Sequence, residues 1–353
     1  MDFDLSDEQR MIADTVASVL SDAGAEDVWG AIVDSGLTGM TFREDQGGAA
    51  LSVLSIAPAM VELGRSQKHP PMLGGAILPG LLSARCALPG LDAEKVIEDD
   101  IRVAVALPEN LTDVRTHGGA LTGTARQLLG ASDAHMVILC RQEAEGAACA
   151  VVDLAAPGVT RSDQILVDGQ CVADVTFDGA SVSWSQADKD LPVWLTDIAA
   201  MMMCAVALGA AQSLRDLTRD YISTREQFGK PIGRFQVLQH DMVDIWHDTE
   251  HFASLVFAAA SACDGTDVAA RQRAVSALKR FCGTRMRAAA ACSIQMHGGI
   301  GTTEEYELNS YVKRILVADM LFGTADVHAA RLGRLIAETA RAEAKTYGWE
   351  HAG

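Results

Sequence analysis

The chain has 353 residues, 49% of them hydrophobic, enough for a large core divided among two or three packed units. A formal net charge of −18 repels phosphate backbones and anionic lipid, so neither nucleic acid nor a membrane surface is expected as a partner. A small anionic ligand therefore needs a local cluster of positive charge or backbone amides. The eight cysteines are scattered singly with no C-x-x-C pair, the usage of a cytoplasmic protein with reduced, mostly buried thiols. The opening "MDFDLSDEQR" lacks the basic and apolar stretches of a signal peptide.

Residues 1–100 read as helical. Ser6-Asp-Glu-Gln9 has the letters of a capping box, with Met11, Ile12, Val16, Val19 and Leu20 following at helical spacing, and similar spacing recurs at 51–64 and 76–86. From 101 to about 190 the pattern changes to short β-favouring runs, "IRVAVAL", "HMVILC", "ACAVVDL" and "VADVTF", separated by Gly, Asp and Asn turns. This predicts a small antiparallel β domain. From 191 to 353 helical spacing returns, with Ala-, Leu- and Met-rich segments near 193–224, 235–263, 266–296, 304–320 and 324–346 that predict a helical bundle. The most apolar run, 198–211, is too short to span a bilayer and reads as a buried helix.

Three motifs could carry chemistry. His247-Asp-Thr-Glu-His251 has the letters H-x-x-E-H of a zinc site, but it also reads as the polar face of an amphipathic helix, and no metal is expected. Between two helical runs lies "REQFGKPIGRFQ", Arg225 to Gln236. Locally, Gly229 and Pro231 suit a helix stop and restart, and Arg225 and Glu226 read as solvated. Gln295-Met-His-Gly-Gly-Ile-Gly301 places three glycines in four positions after a helix, where backbone amides can approach a phosphate closely.

In combination these segments say more. "REQFGKPIGRFQ", then "QMHGGIGTTEEYELNSYVKR" and "LFGTADV", resemble the C-terminal domain of the acyl-CoA dehydrogenase family. Upstream, "GLTGMTFREDQGGAALSVLSIAPAMVELGR" is similar to that family's N-terminal segment, with Arg43 where proline is usual. The resemblance implies an α+β fold with an N-terminal helical domain, a middle antiparallel β domain and a C-terminal four-helix bundle. It implies FAD as cofactor, an acyl-CoA as substrate and an electron-transfer flavoprotein as electron acceptor. It also implies that the Arg225 loop reaches across a subunit interface. Arg225 would then pair with the pyrophosphate of a neighbour's FAD, Phe228 would pack on its adenine end and Gln236 would hydrogen-bond it. Gln295, Gly298 and Gly299 would hold the ADP part, and Thr324 of the last motif would also touch cofactor.

The sequence departs from that family where the reaction's base belongs. One branch's glutamate position is Phe322 and the other's is Ala199, and neither side chain takes a proton. The flavin-contacting loop is represented by "VALPENLTD", and the family's aromatic step on the flavin by "QLLGASDA" around Leu128 and Leu129. Residues serving the chain's own flavin are eroded, while those serving a neighbour's are kept. This pattern suits one chain of a heteromeric acyl-CoA dehydrogenase whose partner brings the glutamate, with a steroid side-chain thioester suggested by analogy. The alternatives are a self-sufficient enzyme with Asp197 or Asp319 as relocated base, and a flavin-free acyl-CoA-binding scaffold.

Overall fold

The computed structural model describes residues 5–24 and 27–346. Positions 1–4, part of the opening read as signal-free, and 347–353, the end of the expected C-terminal domain, lie outside the described residues. The N-terminal part holds α1 (Asp7–Asp22), α2 (Val28–Asp34), α3 (Val53–Arg65), α4 (Leu78–Ser83) and α5 (Ala93–Ile97). The capping box forms: Gln9 N–H donates to Ser6 Oγ at 3.2 Å, and Ser6 N–H donates to Gln9 Oε1 at 2.9 Å. The helix read at 76–86 starts earlier, because a π-helical turn, Leu73–Ile77, leads directly into α4.

Eight strands follow: β1 (Val103–Ala106), β2 (Arg115–His117), β3 (Ala120–Leu129), β4 (Met136–Glu143), β5 (Gly146–Asp153), β6 (Val159–Ile165), β7 (Cys171–Ser181) and β8 (Ser185–Ala187). They form two four-stranded sheets, ordered β1-β4-β5-β8 and β2-β3-β7-β6, that share a core including Leu121, Val137, Leu139, Val175 and Phe177. The expectation of a wholly antiparallel domain needs one correction. β1 and β4 pair in parallel, Val103 opposite Met136 through Ala106 opposite Leu139. The chain leaves the first sheet after β1, makes the β2–β3 hairpin in the second and returns in its original direction, a crossover that forces parallel pairing.

The C-terminal part holds α6 (Leu191–Thr224), α7 (Gln236–Asp264), α8 (Val268–Phe281), α9 (Arg287–His297), α10 (Leu308–Met320) and α11 (Ala325–Thr346). A π-helical turn at Cys282–Met286 joins α8 to α9, so the run read as one helix at 266–296 is two. α6, α7, α8–α9 and α10 make the four-helix bundle, and α11 packs along α8. α6 is long and apolar enough to cross a membrane, but 89% of its most apolar window is buried against other helices.

α3 docks on α6 through backbone contact. A Cβ on Gly209 would lie 1.9 Å from the carbonyl oxygen of Val61, and one on Gly64 would lie 1.9 Å from that of Val206. No side-chain rotation relieves a clash with backbone. Gly209→Ala is therefore expected to lower stability by about 2–3 kcal/mol in urea unfolding, as overpacking in a close crossing does. Gly333→Ala, in α11 where the added Cβ meets open space, is expected to raise stability by roughly 0.5–1 kcal/mol.

Candidate functional site

Two candidate regions lie toward opposite ends of α6. At its C-terminal end Arg225 N–H donates to Tyr221 O at 2.8 Å, and the chain turns into a two-rung hairpin, Glu226–Gln227 against Lys230–Pro231. Phe228 and Gly229 form the tip with φ of 56° and 77°. Phe228 is 89% exposed and meets Phe235 edge-on at 6.0 Å. Gln236 then opens α7. α9 ends beside this hairpin, where the Tyr221 hydroxyl donates to His297 O at 3.2 Å. Gly298 follows with φ 65° and ψ −140°, a conformation open essentially to glycine alone. Six residues expected to serve a neighbour's cofactor, Arg225, Phe228, Gln236, Gln295, Gly298 and Gly299, thus lie exposed at one end of the bundle. Thr324 does not join them, since it lies beyond the far end of α10, about 20 Å of helix away.

The second region is a cleft of about 560 Å³ between the π-helical turn and α4, the β1 and β3 ends, and the loop after α10. Phe322 and Met320 line it. Phe322 has φ 57° and Gly323 φ 94°, and three side chains hold this unusual loop. Lys279, fully buried, donates to the carbonyls of Ala318 at 2.6 Å, Asp319 at 3.0 Å and Leu321 at 2.7 Å. Asp319 Oδ1 accepts from Ala325 N–H at 2.9 Å, and His328 Nε2 donates to Phe322 O at 3.0 Å. Asp319 is therefore committed to starting α11.

The cleft's polar wall is closed on itself. β3 shifts register between Ala125 and Leu128, and there Gln127, at φ 55°, gives its N–H to Asp174 Oδ1 at 2.8 Å. Arg126 bridges Asp113 at 3.2 Å and Asp174 at 3.5 Å, and Asn110 Nδ2 holds Arg126 O at 2.8 Å. Glu109, from the "VALPENLTD" loop, is an exposed residue at the rim shared with a neighbouring groove; desolvation by the surrounding walls pushes its pKa up, against the hydrogen bond from Thr196 Oγ1 at 3.4 Å. Sequence reading missed Glu109, although the loop that carries it was recognisable.

Neither position weighed as a relocated base is free. Asp197 is wholly buried, its two oxygens taken by Arg271 Nε at 3.0 Å and Arg331 Nη1 at 2.6 Å. Ala199 is fully buried within α6. His247 and His251 lie on the exposed face of α7 with ring centroids 4.1 Å apart, and among the described residues no third ligating side chain joins them.

A smaller cavity of about 110 Å³ lies between α3, α6 and the end of β3, beside the buried Arg314. Arg314 donates to the carbonyls of Leu63 at 2.9 Å and Lys68 at 2.8 Å, to that of Ser66, and to His69 Nδ1 at 2.7 Å. Burial first, and the Arg314 charge second, push the His69 pKa down from 6.5 to about 3.

Residues 193–337 match the acyl-CoA dehydrogenase C-terminal domain. Acyl-CoA dehydrogenase FadE27 of Mycobacterium tuberculosis is 24% identical over 330 residues, 89% of this chain and 88% of that protein. The ChsE4–ChsE5 complex of the same organism superposes with a TM-score of 0.85 at 23% identity, covering 96% of this chain and 99% of the other. The structure described as the Tcur3481–Tcur3483 steroid ACAD G363A variant does so with 0.83 at 22%, covering 95% and 99%. Residues 193–337 therefore belong to the acyl-CoA dehydrogenase C-terminal domain family, and the chain is similar to acyl-CoA dehydrogenases over most of its length.

The buried groups carry two expected outcomes for stability. The unfolded chain protonates His69 near pH 6.5 and the folded chain only near 3. This contribution is therefore complete above about pH 6.5 and is lost progressively as pH falls toward 3. His69→Asn, which keeps an acceptor for Arg314, should flatten the loss of stability between pH 6.5 and 5 in urea titrations. Asp197→Asn leaves two buried guanidiniums short of their counter-charge and should cost about 3–5 kcal/mol in the same assay.

Proposed function

We propose that this chain is one subunit of a flavin-dependent acyl-CoA dehydrogenase, completing the ADP end of the FAD site of a partner subunit that carries the catalytic glutamate. The observation that carries this reading is the contrast between the two ends of α6. At the bundle end the candidate cofactor residues are exposed and converge. At the cleft end one base position holds Phe322, the other, Ala199, is buried within α6, and the polar groups of the cleft wall are bonded to one another.

The two ends also differ in how well they suit FAD. At the bundle end Arg225 makes no ion pair among the described residues, and a Cβ on Gly298 or Gly299 would enter open space, leaving room for a diphosphate to reach the amides. Arg225 would pair with that diphosphate, Gln295 and the Gly298 and Gly299 amides would hold the ADP part, Gln236 would hydrogen-bond it, and Phe228 would cover the adenine. At the cleft, the Gln127 N–H is already spent on Asp174, and Glu109 and Asp174 oppose an anionic diphosphate, so the group does not fit there. Thr324 would meet cofactor only on that cleft side.

FAD, when bound, supplies a hydride acceptor for the β-carbon of an acyl-CoA thioester, with electrons passed on to an electron-transfer flavoprotein. A partner is supported by an apolar surface spread over the hairpin and α7, where Phe228 is 89%, Val237 65%, Val243 65% and Trp246 45% exposed. Of the two similar structures, ChsE4–ChsE5 is a complex and the Tcur3481–Tcur3483 variant is described as a steroid ACAD, which together support a heteromer acting on a bulky acyl group. The eight unpaired cysteines suit the cytoplasm.

The isolated chain is expected to be colourless or to bind FAD weakly. A tagged copy purified from its native host should bring down a second acyl-CoA dehydrogenase-like polypeptide with FAD, and Arg225→Ala should lower the flavin content of that complex while leaving the pair associated. Stoichiometric yellow flavin and full activity in the isolated chain would overturn the reading. Glu109, beside Phe322 with a raised pKa, favours a self-sufficient enzyme instead. Glu109→Gln decides between the two. Turnover of the complex should change by less than about threefold, whereas loss of a true base removes about two to four orders of magnitude.

A further inference from the structure

Two loops meet at the bundle end, one after α6 and one after α9, and their anchor residues are far apart in the chain. A single stack of three rings joins them. Tyr221, on the last turn of α6, lies over His297 with ring centroids 4.4 Å apart and planes inclined by 25°. Tyr306, between α9 and α10, packs against the same His297 ring at 5.3 Å with planes inclined by 53°, a tilted contact that completes the three-ring group. The hydroxyl of Tyr221 donates to His297 O, and the carbonyl of the same Tyr221 accepts from Arg225 N–H. Each bond sits one residue or one turn away from a candidate cofactor contact: His297 immediately precedes Gly298, and Arg225 follows one turn after Tyr221.

His297 is 3% exposed and held from both directions. Its Nδ1 faces Ser293 O at 2.8 Å; a carbonyl only accepts, so the proton is on Nδ1. Nε2 is then a bare lone pair, buried with no partner among the described residues. Burial pushes the His297 pKa down, in keeping with a neutral ring packed between two tyrosines. A buried, half-satisfied polar group costs stability, and an apolar side chain of the same shape would fill the space without that cost.

We infer that the Tyr221–His297–Tyr306 stack is a positioning element that sets the spacing between the Arg225 loop and the Gly298–Gly299 loop, so that one diphosphate can be held by both. The three residues touch no cofactor themselves. They act through the backbone, by fixing the carbonyl of His297 against α6 and the start of the glycine turn against the hairpin. Gly298 adopts a backbone conformation with few alternatives, so a shift of His297 passes directly to its amide. This inference rests on the cofactor reading above for its purpose, but not for the mechanical link between the loops.

The test separates the link from its purpose. In the full-length chain without partner or FAD, His297→Ala should speed amide hydrogen exchange in both 225–235 and 298–303, while His297→Phe, which keeps a ring in the stack, should leave both protected. Tyr221→Phe keeps the ring and removes the hydroxyl. In the partner complex it should weaken FAD retention roughly fivefold, the worth of one neutral hydrogen bond, with a melting temperature lowered by no more than about 4 °C. If His297→Ala loosens 298–303 and leaves 225–235 as protected as before, the stack does not couple the loops and the inference fails. If both loops loosen while FAD retention in the complex is unchanged for every variant, the coupling exists but does not serve the cofactor, and the positioning role is overturned together with the cofactor assignment.

Discussion

The contact between Gly64 and Gly209 is the constraint on which the rest of the molecule is arranged. Two helices whose backbones touch cannot slide or rotate against each other without raising a clash, so α3 fixes α6 in both depth and register. With α6 fixed, the carbonyls at the end of α3 lie within reach of Arg314 on α10, which gathers those of Leu63, Ser66 and Lys68. α10 in turn carries the loop of Phe322 at its end, where Lys279 from α8 binds three of its carbonyls. A contact between two small residues thus sets the geometry of the cleft wall through two buried cations. Among the described residues neither cation is paired as in an ordinary salt bridge; each is solvated by backbone carbonyls at a chain turn.

The same helix explains why the two candidate regions are structurally separate. α6 runs 34 residues, about 50 Å, with the cleft near its first turns and the Arg225 hairpin at its last. At the cleft Asp174 takes a backbone N–H and an arginine, and in the buried structure behind it Asp197 takes two arginines and Asp319 caps a helix. Groups at the bundle end are not satisfied in this way. An arginine with no carboxylate among the described residues, a phenylalanine pointing into solvent and two glycines facing open space are costly features for a chain to keep with nothing to bind them. The difference in satisfaction, rather than any single residue, distinguishes the exposed bundle end from the internally bonded cleft.

Much of this was legible in the residue order. Helical spacing after 191 located the long helices, and the letters of Ser6 to Gln9 foretold the first cap, because both depend on contacts within a turn or two. The Arg225 and Gly298 motifs were recognisable for the same reason: each is a short backbone device whose residue types are dictated locally. The parallel pairing of β1 with β4 was not legible, since it depends on where the chain goes between 107 and 135. Glu109 was missed because a glutamate in a loop has no local signature of facing a cleft. The aspartates at 197 and 319 looked like spare carboxylates in the sequence, and only packing showed their partners, 74 and 134 residues away for the first.

The sequence by itself determined the class of fold, the two loop motifs and the absence of a proton acceptor at positions 199 and 322, since these follow from side-chain chemistry and short-range periodicity. Tertiary structure alone decided that six of the seven candidate cofactor residues share one exposed surface while Thr324 stands apart at the cleft, and that Asp197 and Asp319, the aspartates near the vacant base positions, are already bonded. The physical reason is that hydrogen-bond satisfaction and exposure belong to three-dimensional neighbourhoods, assembled here by the α3–α6 crossing from segments more than a hundred residues apart.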